Sequence, residues 1–178
     1  MTNQPLVSVI INNYNYARFV GQAIDSALNQ NYINLEVLVV DDGSTDNSRD
    51  VISQYGAHIQ AIFQPNGKQA AALNTGFVAC KGEIVLFLDA DDYLLSNAIE
   101  KIVAAFQEGI GKVHFRLKVV DGASESLGYS IPSVGMTLSS GEVWRRLLQK
   151  SSYISAPMSG NAYCRETLVP VFPIPDEY

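Results

Sequence analysis

Several features that define particular protein classes are scarce or missing in this sequence of 178 residues. The two cysteines, Cys80 and Cys164, are too few for a disulfide scaffold and lack zinc-site spacing, so we expect reduced packing residues. No apolar stretch approaches the roughly 20 residues that cross a bilayer. The polar N-terminus also lacks the apolar region of a signal peptide. The sequence therefore predicts a cytoplasmic protein with no transmembrane segment, while peripheral association with the inner face of the membrane stays open.

Positive charge is scarce as well. Lysine and arginine number 12 against 18 aspartates and glutamates, which gives a net charge of −6. A surface for binding nucleic acid needs the opposite balance, so nucleic acid is excluded as a partner. With 47% hydrophobic and 17% charged residues, the composition is that of a folded globular protein. The first 100 residues carry eleven acidic and four basic side chains, and five of the acidic ones lie in two short runs.

Strand patterns alternate with helix patterns along the first part of the chain. Apolar, β-branched runs predict strands at residues 7–11, 35–40, 59–63 and 83–88. Helix patterns follow each of them: a stripe from Phe19 to Leu28, a helix with Val51, Ile52 and Tyr55 capped by Ser44 or Thr45, an alanine-rich helix at 69–79, and a helix from Ile99 to Phe106 capped by Ser96. This alternation predicts an α/β fold with a doubly wound, mostly parallel, Rossmann-like sheet flanked by helices.

The pattern is weaker after residue 110. Residues 112–120 predict a strand, and residues 122–128 predict a turn-rich connection. The sequence Ser139-Ser140-Gly141-Glu142 resembles a capping box and predicts the start of a helix through Trp144, Leu147 and Leu148. No linker or low-complexity stretch divides the chain.

Polar residues follow three of the predicted strands. Asn12 and Tyr14 follow the first strand, Asp41 and Asp42 end the second, and Asp89, Asp91 and Asp92 follow the fourth, whereas Asn13 and Asn15 are interpreted as loop residues. Ligands of open α/β sheets bind beyond the carboxyl ends of the strands, so these loops should share one crevice. A Gly-x-Gly-x-x-Gly loop is missing, which argues against a dinucleotide-dependent dehydrogenase. The Asp-x-Asp run follows the fourth strand rather than the first, which argues against a phosphatase of the haloacid dehalogenase type.

A purely structural explanation is stronger for some of these loops than for others. An Asp-Asp-Gly sequence commonly forms only a turn, and a single tyrosine is commonly a packing residue. Three carboxylates within residues 89–92 would repel each other at the mouth of a buried strand unless a cation neutralised them. Carboxylate oxygens favour Mg²⁺ or Mn²⁺, held by one or two side chains with substrate phosphates completing the coordination.

Four segments resemble a known family in their order and spacing. They are residues 7–15 (VSVIINNYN), 36–46 (EVLVVDDGSTD), 66–76 (NGKQAAALNTG) and 82–92 (GEIVLFLDADD). With these segments the sequence resembles the family-2 glycosyltransferases, enzymes of the GT-A fold that use nucleotide-diphosphate sugars. The resemblance covers most of residues 5–107 and implies a metal-dependent, inverting transfer of a sugar to an acceptor hydroxyl, as in polysaccharide biosynthesis.

The resemblance also implies roles for individual residues. Asn12 and Tyr14 would border the base and ribose. Asp42 would accept a hydrogen bond from the imide N–H of the base, which favours a UDP- or dTDP-sugar over a cytidine one. In the Asp-x-Asp motif, Asp91 would contact the ribose or the metal, with Asp92 or Asp89 as the other ligand of Mn²⁺ or Mg²⁺. Many family members carry arginine where this chain has Leu73, so Lys68 is the alternative basic contact to the diphosphate.

The resemblance assigns residues 1–110 to donor binding and residues 111–178 to the start of an incomplete acceptor-binding half. The catalytic base of the family is a carboxylate downstream of segments like residues 157–163 and 172–175, so we expect it beyond Tyr178. Asp176 and Glu177 are the weaker candidates for the base within the sequence. The alternative function is a module that binds nucleotide diphosphate and metal without turnover. The acceptor, whether sugar, lipid or protein, is not identified by the sequence.

Overall fold

The structure, a computed structural model, describes residues 4–175. Its elements, in chain order, are β1 (Val7–Asn13), α1 (Val20–Leu28), β2 (Leu35–Asp42), α2 (Ser48–Ser53), β3 (Gln60–Gln64), α3 (Lys68–Ala79), β4 (Ile84–Asp89), α4 (Ala98–Ala105), β5 (Lys112–His114), β6 (Leu117–Val120), β7 (Ser126–Ile131), α5 (Val143–Lys150), β8 (Asn161–Cys164) and α6 (Arg165–Leu168). The chain forms two compact units, one of residues 4–113 and 162–175 and one of residues 114–161.

A six-stranded sheet with the order β3-β2-β1-β4-β8-β5 organises the first unit. The strands β1 to β4 pair in parallel, and β8 pairs with β4 in the antiparallel direction. Strands β1, β2 and β4 are buried over most of their length, which explains their nearly continuous apolar sequences. The predicted α/β fold with a mostly parallel sheet is therefore confirmed.

Helices cover the sheet through apolar stripes. In α1, Val20, Ala23, Ile24 and Ala27 are fully buried, as their helical spacing predicts. Helix α3 lies close to the sheet at Gly76, where a Cβ atom would come within 2.4 Å of Ile10 Cγ2. Between residues 4 and 175, no helix combines the length and the apolar character that crossing a membrane requires.

The strand register brings the polar residues of the sequence to one edge of the sheet. Asn12 on β1 is paired with Asp89 on β4, and Asn13 is paired with Asp41 on β2. Asp42 is in turn paired with Gln64 on β3. Successive residues of a strand point to opposite faces, so the side chains of Asn12 and Asn13 form hydrogen bonds with different neighbours.

Two of the predicted helix caps are wrong. Helix α2 begins at Ser48 after Asn47 and ends before Tyr55, so neither Ser44 nor Thr45 caps it. Helix α4 begins after Asn97 rather than at a Ser96 cap. The Ser44 hydroxyl instead accepts hydrogen bonds from Asn13 Nδ2 and the Asn15 backbone N–H, which are partners distant in sequence.

The second unit contains the antiparallel hairpin of β6 and β7 and the helix α5. The single strand predicted over residues 112–120 is interrupted at Phe115, whose N–H donates to Gly160 O at 2.9 Å. The predicted turn-rich segment 122–128 already contains the start of β7. The predicted helix is present as α5, but without the capping box, because Ser139 Oγ accepts from the N–H of Ile154.

Candidate functional site

An open cleft of about 570 Å³ lies in the first unit, beyond the carboxyl ends of β1, β2 and β4. Open α/β sheets bind their ligands at this edge. The cleft contains the predicted residues Asn12, Tyr14, Asp42, Lys68, Asp89 and Asp91, and its other lining residues are Asn13, Tyr16, Asn66, Gln69, Ala72 and Ala90. A second cleft, of about 510 Å³, lies near the start of β2 and contains none of the predicted site residues.

Asp42 is only 3% exposed, and the hydrogen bonds to its carboxylate are on one of its two oxygen atoms. Its Oδ1 atom accepts hydrogen bonds from Gln64 Nε2 at 2.7 Å and from the Gly67 N–H at 2.9 Å. Among residues 4–175, no donor reaches Oδ2. The carboxylate therefore keeps one acceptor atom for a ligand in the cleft.

Asp41 lies next to Asp42 in sequence but is fully buried and plays a different part. It accepts hydrogen bonds from Asn13 Nδ2 (2.8 Å), Arg49 Nε (3.0 Å) and the Ser44 N–H (3.1 Å). Burial alone would raise the pKa of Asp41, but the hydrogen bonds from Ser44, Arg49 and Asn13 outweigh it and hold the pKa below its ordinary value. Asp41 is thus an ionised structural support that ties the ends of β1 and β2 together.

The loop after β1 is bound to the loop after β2 through Asn15. Asn15 has a positive φ of 59°, which asparagine tolerates better than most residues. Its Oδ1 atom accepts from the N–H groups of Thr45 at 2.7 Å and Asp46 at 3.3 Å. Asp46 in turn accepts from the Ala17 N–H at 3.0 Å. Asn13 and Asn15, interpreted from the sequence as loop residues, are therefore the residues that fix one wall of the cleft.

Asn12 connects the first loop to the acidic turn after β4. Its Nδ2 atom donates to Asp89 Oδ1 at 3.2 Å, and Gln69 Nε2 reaches the same oxygen at 3.4 Å. The Oδ1 atoms of Asn12 and Asn13 are buried and accept no hydrogen bond from any described residue. Buried polar atoms without a partner are rare in folded proteins, and both residues line the cleft.

The acidic turn after β4 presents carboxylates to the cleft. Asp89 and Asp91 line the cleft, whereas Asp92, whose N–H donates to Asp89 O at 3.0 Å, lies in the same turn but is not among the lining residues. Within residues 4–175, no group of three or more His, Cys, Asp or Glu side chains could hold a metal ion. Mg²⁺ and Mn²⁺ commonly use one or two carboxylates plus substrate oxygens, so Asp89 and Asp91 fit such an ion.

Aromatic and basic side chains complete the lining. Tyr14 and Tyr16 are 46% and 42% exposed, so their rings are accessible for stacking. Lys68 is exposed at the first position of α3, where it has a positive φ of 66°. The N-terminus of a helix carries partial positive charge from its unpaired N–H groups, which favours anions. Lys68 and the start of α3 therefore form the electropositive part of an otherwise acidic cleft.

The remaining predicted positions lie elsewhere. Leu73, where many family members carry arginine, is buried against the sheet and supplies no charge. Asp176 and Glu177 lie outside the described residues. The sequence analysis missed Gln64 and Thr75, which stand behind Asp42, because neither is unusual at the end of a strand or inside a helix.

Comparison with known proteins identifies the family. The sequence profile described as Glycosyl transferase family 2 matches residues 8–159. The chain belongs to glycosyl transferase family 2. It is 43% identical over 174 residues to an uncharacterized glycosyltransferase of Nostoc sp., a match that covers 94% of this chain and 53% of the relative. The chain thus spans about half the length of this relative.

Solved structures of the same architecture support the GT-A fold of this family-2 chain. TarS of S. aureus in complex with UDP-GlcNAc superposes with a TM-score of 0.67 at 23% identity, over 91% of this chain and 46% of TarS. The mannosyltransferase PcManGT from Pyrobaculum calidifontis, in complex with GDP-Man and Mn²⁺, gives a TM-score of 0.67 at 23% identity, over 99% of this chain and 49% of PcManGT. At this identity the likeness concerns the fold.

Proposed function

We propose that this chain is the donor-binding part of a glycosyltransferase that takes a sugar from a UDP- or dTDP-sugar and transfers it to an acceptor hydroxyl. The single observation that carries the proposal is the convergence of Asn12, Tyr14, Asp42, Lys68, Asp89 and Asp91 in one cleft at the carboxyl edge of the sheet. Family membership and the nucleotide-sugar complexes of TarS and PcManGT support it further.

The cleft offers complementary groups for each part of a nucleotide sugar. Asp42 accepts an N–H of the base, and the ring of Tyr14 stacks on its flat face. Asn12, which also lines the cleft, borders the ribose. Lys68 and the N-terminus of α3 attract the diphosphate.

Asp89 and Asp91 are the residues that would hold Mn²⁺ or Mg²⁺, with Asp92 of the same turn as the remaining candidate. A bound divalent ion stabilises negative charge on the diphosphate leaving group. The PcManGT complex with GDP-Man and Mn²⁺ supports use of a metal by this fold.

The transfer itself follows from direct displacement at the anomeric carbon. A carboxylate base takes the proton of the acceptor hydroxyl, the acceptor oxygen forms a bond to the anomeric carbon, and the bond from that carbon to the diphosphate oxygen breaks, which inverts the configuration. Within this sequence, Asp176 and Glu177 are the candidates for the base.

Calorimetric titration with UDP, dTDP and their sugars, with and without Mn²⁺, tests the proposal. We expect micromolar to millimolar binding that Mn²⁺ strengthens and that Asp91→Asn weakens at least tenfold, while Asp50→Asn in α2, outside the cleft, leaves it unchanged. Binding that is indifferent to both Mn²⁺ and Asp91→Asn would contradict the proposal. Hydrolysis of the bound donor by this chain would separate an enzyme from the alternative, a module that binds donor without turnover.

A further inference from the structure

A chain of two directed hydrogen bonds lies behind the cleft and ends at Asp42. Thr75 Oγ1 on α3 donates to Gln64 Oε1 at 2.6 Å, and Gln64 Nε2 donates to Asp42 Oδ1 at 2.7 Å. The Gly67 N–H donates to the same Asp42 oxygen at 2.9 Å. Neither Gln64 nor Thr75 lines the cleft, so both act on a ligand only through Asp42.

The direction of this chain is fixed by chemistry. An ionised carboxylate can only accept hydrogen bonds, so Gln64 must turn its NH₂ group toward Asp42. The carbonyl oxygen of the Gln64 amide then faces the opposite way and needs a donor, which the Thr75 hydroxyl supplies. Removing that hydroxyl would leave a half-buried amide free to rotate away from Asp42.

The two donors on Oδ1 determine what Asp42 can still accept. Each carboxylate oxygen has about two lone-pair directions, and Gln64 and Gly67 occupy both of those on Oδ1. Oδ2 remains for the ligand. A single acceptor atom matches a base edge with one N–H donor, such as the imide of uracil or thymine. Guanine presents two adjacent donors that require both oxygens, and cytosine presents an acceptor at the imide position, which Asp42 repels.

We propose that Thr75 and Gln64 are positioning residues for nucleobase selection, and that they restrict Asp42 to a base with a single N–H donor. The inference rests on the proposed function, because it assumes that Asp42 meets the base. It predicts discrimination by this chain against both guanosine and cytidine diphosphates.

The test compares the dissociation constants of UDP, CDP and GDP in the presence of Mn²⁺ for wild type, Thr75→Val and Thr75→Ser. Valine has the shape of threonine without the hydroxyl, and serine retains the hydroxyl. We expect Thr75→Val to weaken UDP binding about tenfold and to reduce the preference for UDP over CDP and GDP by a similar factor. Thr75→Ser should restore both. Thr167→Val, which removes a hydroxyl bonded to Gly111 O outside the cleft, is the matched control.

Melting temperatures of the unliganded variants separate positioning from a loss of folding. If Thr75→Val does not fold, Gln64→Met provides the same comparison, since it keeps the length of the side chain and removes the donor to Asp42. Wild-type UDP affinity and selectivity in a folded Thr75→Val or Gln64→Met protein would overturn the inference, as would equal wild-type affinity for GDP and UDP. Failure of the wild type to bind any of the three nucleotides would instead overturn the proposed function.

Discussion

Asn13 and Asp41 are joined by a buried hydrogen bond of 2.8 Å between Nδ2 of Asn13 and Oδ2 of Asp41, which links the last residue of β1 to β2. Arg49 provides the compensating charge, at 3.0 Å from Asp41 Oδ1. The Arg49 side chain is 47% exposed, so solvent weakens this ion pair, and the uncharged donors Asn13 and Ser44 are needed to keep the buried carboxylate ionised. The end of β2, which carries Asp42, thus depends on a charged residue that does not line the cleft.

Replacing Asp41 by asparagine should change how stability depends on pH. The folded pKa of Asp41 is lowered, so its stabilising contribution is present above the ordinary pKa of 3.8 and is lost as the pH falls through the lower folded value. We expect Asp41→Asn to reduce the unfolding free energy at pH 7 by about 1–3 kcal/mol. The difference should shrink as the pH approaches 2, as measured by urea unfolding at several pH values. Asp50→Asn, an exposed change in α2, should leave the curve of the wild type unaltered, and a constant offset for Asp41→Asn across the pH range would contradict the assignment.

Lys68→Gln should weaken binding of UDP about fivefold with little effect on uridine, because an exposed lysine contributes roughly 1 kcal/mol or less to a charge pair. The loss should diminish as salt is added, since screening already weakens the attraction in the wild type. Calorimetry with both ligands at two salt concentrations provides the measurement. Lys81→Gln, at the opposite end of the sheet near the start of β4, is the control. An equal loss for uridine would show that Lys68 acts on the fold of the loop rather than on the diphosphate.

Gly76→Ala should destabilise the protein by about 1–3 kcal/mol, because the added methyl group overpacks the contact between α3 and the sheet. A Cβ atom there would lie 2.4 Å from Ile10 Cγ2 and 3.4 Å from Val40 Cγ2. On the same helix, Val78 is 82% exposed, and Val78→Ala should stay within about 0.5 kcal/mol of the wild type. Thermal unfolding followed by circular dichroism checks both. A Gly76→Ala protein as stable as the wild type would mean that α3 can move away from β1 at little cost.

Cys80 should resist thiol reagents in the folded protein. Burial raises the pKa of its thiol, and this outweighs the opposing influence of Arg165, whose Nη1 atom lies 2.8 Å from Cys80 Sγ. The thiolate is the reactive form, so low access and a raised pKa act in the same direction. Mass spectrometry after brief treatment with iodoacetamide at pH 8 should find Cys164, which is half-buried, modified first. Equal modification of the two cysteines in urea is the control, and preferential labelling of Cys80 in the native protein would contradict the prediction.

The central strands could be predicted from the sequence because their signal is local. β1, β2 and β4 are buried on both faces, and the sequence of each is an apolar run that ends at a polar residue. The rule that ligands bind at the carboxyl ends of parallel strands then placed Asn12, Asp42 and Asp89 in one cleft without knowledge of any contact.

The predictions were wrong where a side chain forms a hydrogen bond with a residue that is distant in the sequence. Serine commonly caps helices, but the hydroxyls of Ser44 and Ser139 accept hydrogen bonds from Asn13 and Ile154 instead. No local sequence pattern predicts these partners. Gln64 was missed for the same reason, since its importance comes entirely from Asp42 and Thr75. The strand predicted over residues 112–120 was too long, because residues 112–114 form β5 of the six-stranded sheet and residues 117–120 form β6 of the hairpin.

The strand order sets the width of the cleft between β2 and β4. Asp42 lies on β2 and Asp89 on β4, with β1 between them, and neighbouring strands are about 4.8 Å apart, so the two strands that carry these residues are about 10 Å apart. A molecule that touches both must reach across that distance, which a heterocycle or an inorganic anion alone is too small to do. Uridine and pyrophosphate should accordingly occupy opposite ends at the same time, and joining such fragments by a tether of the right span is a route to tight inhibitors.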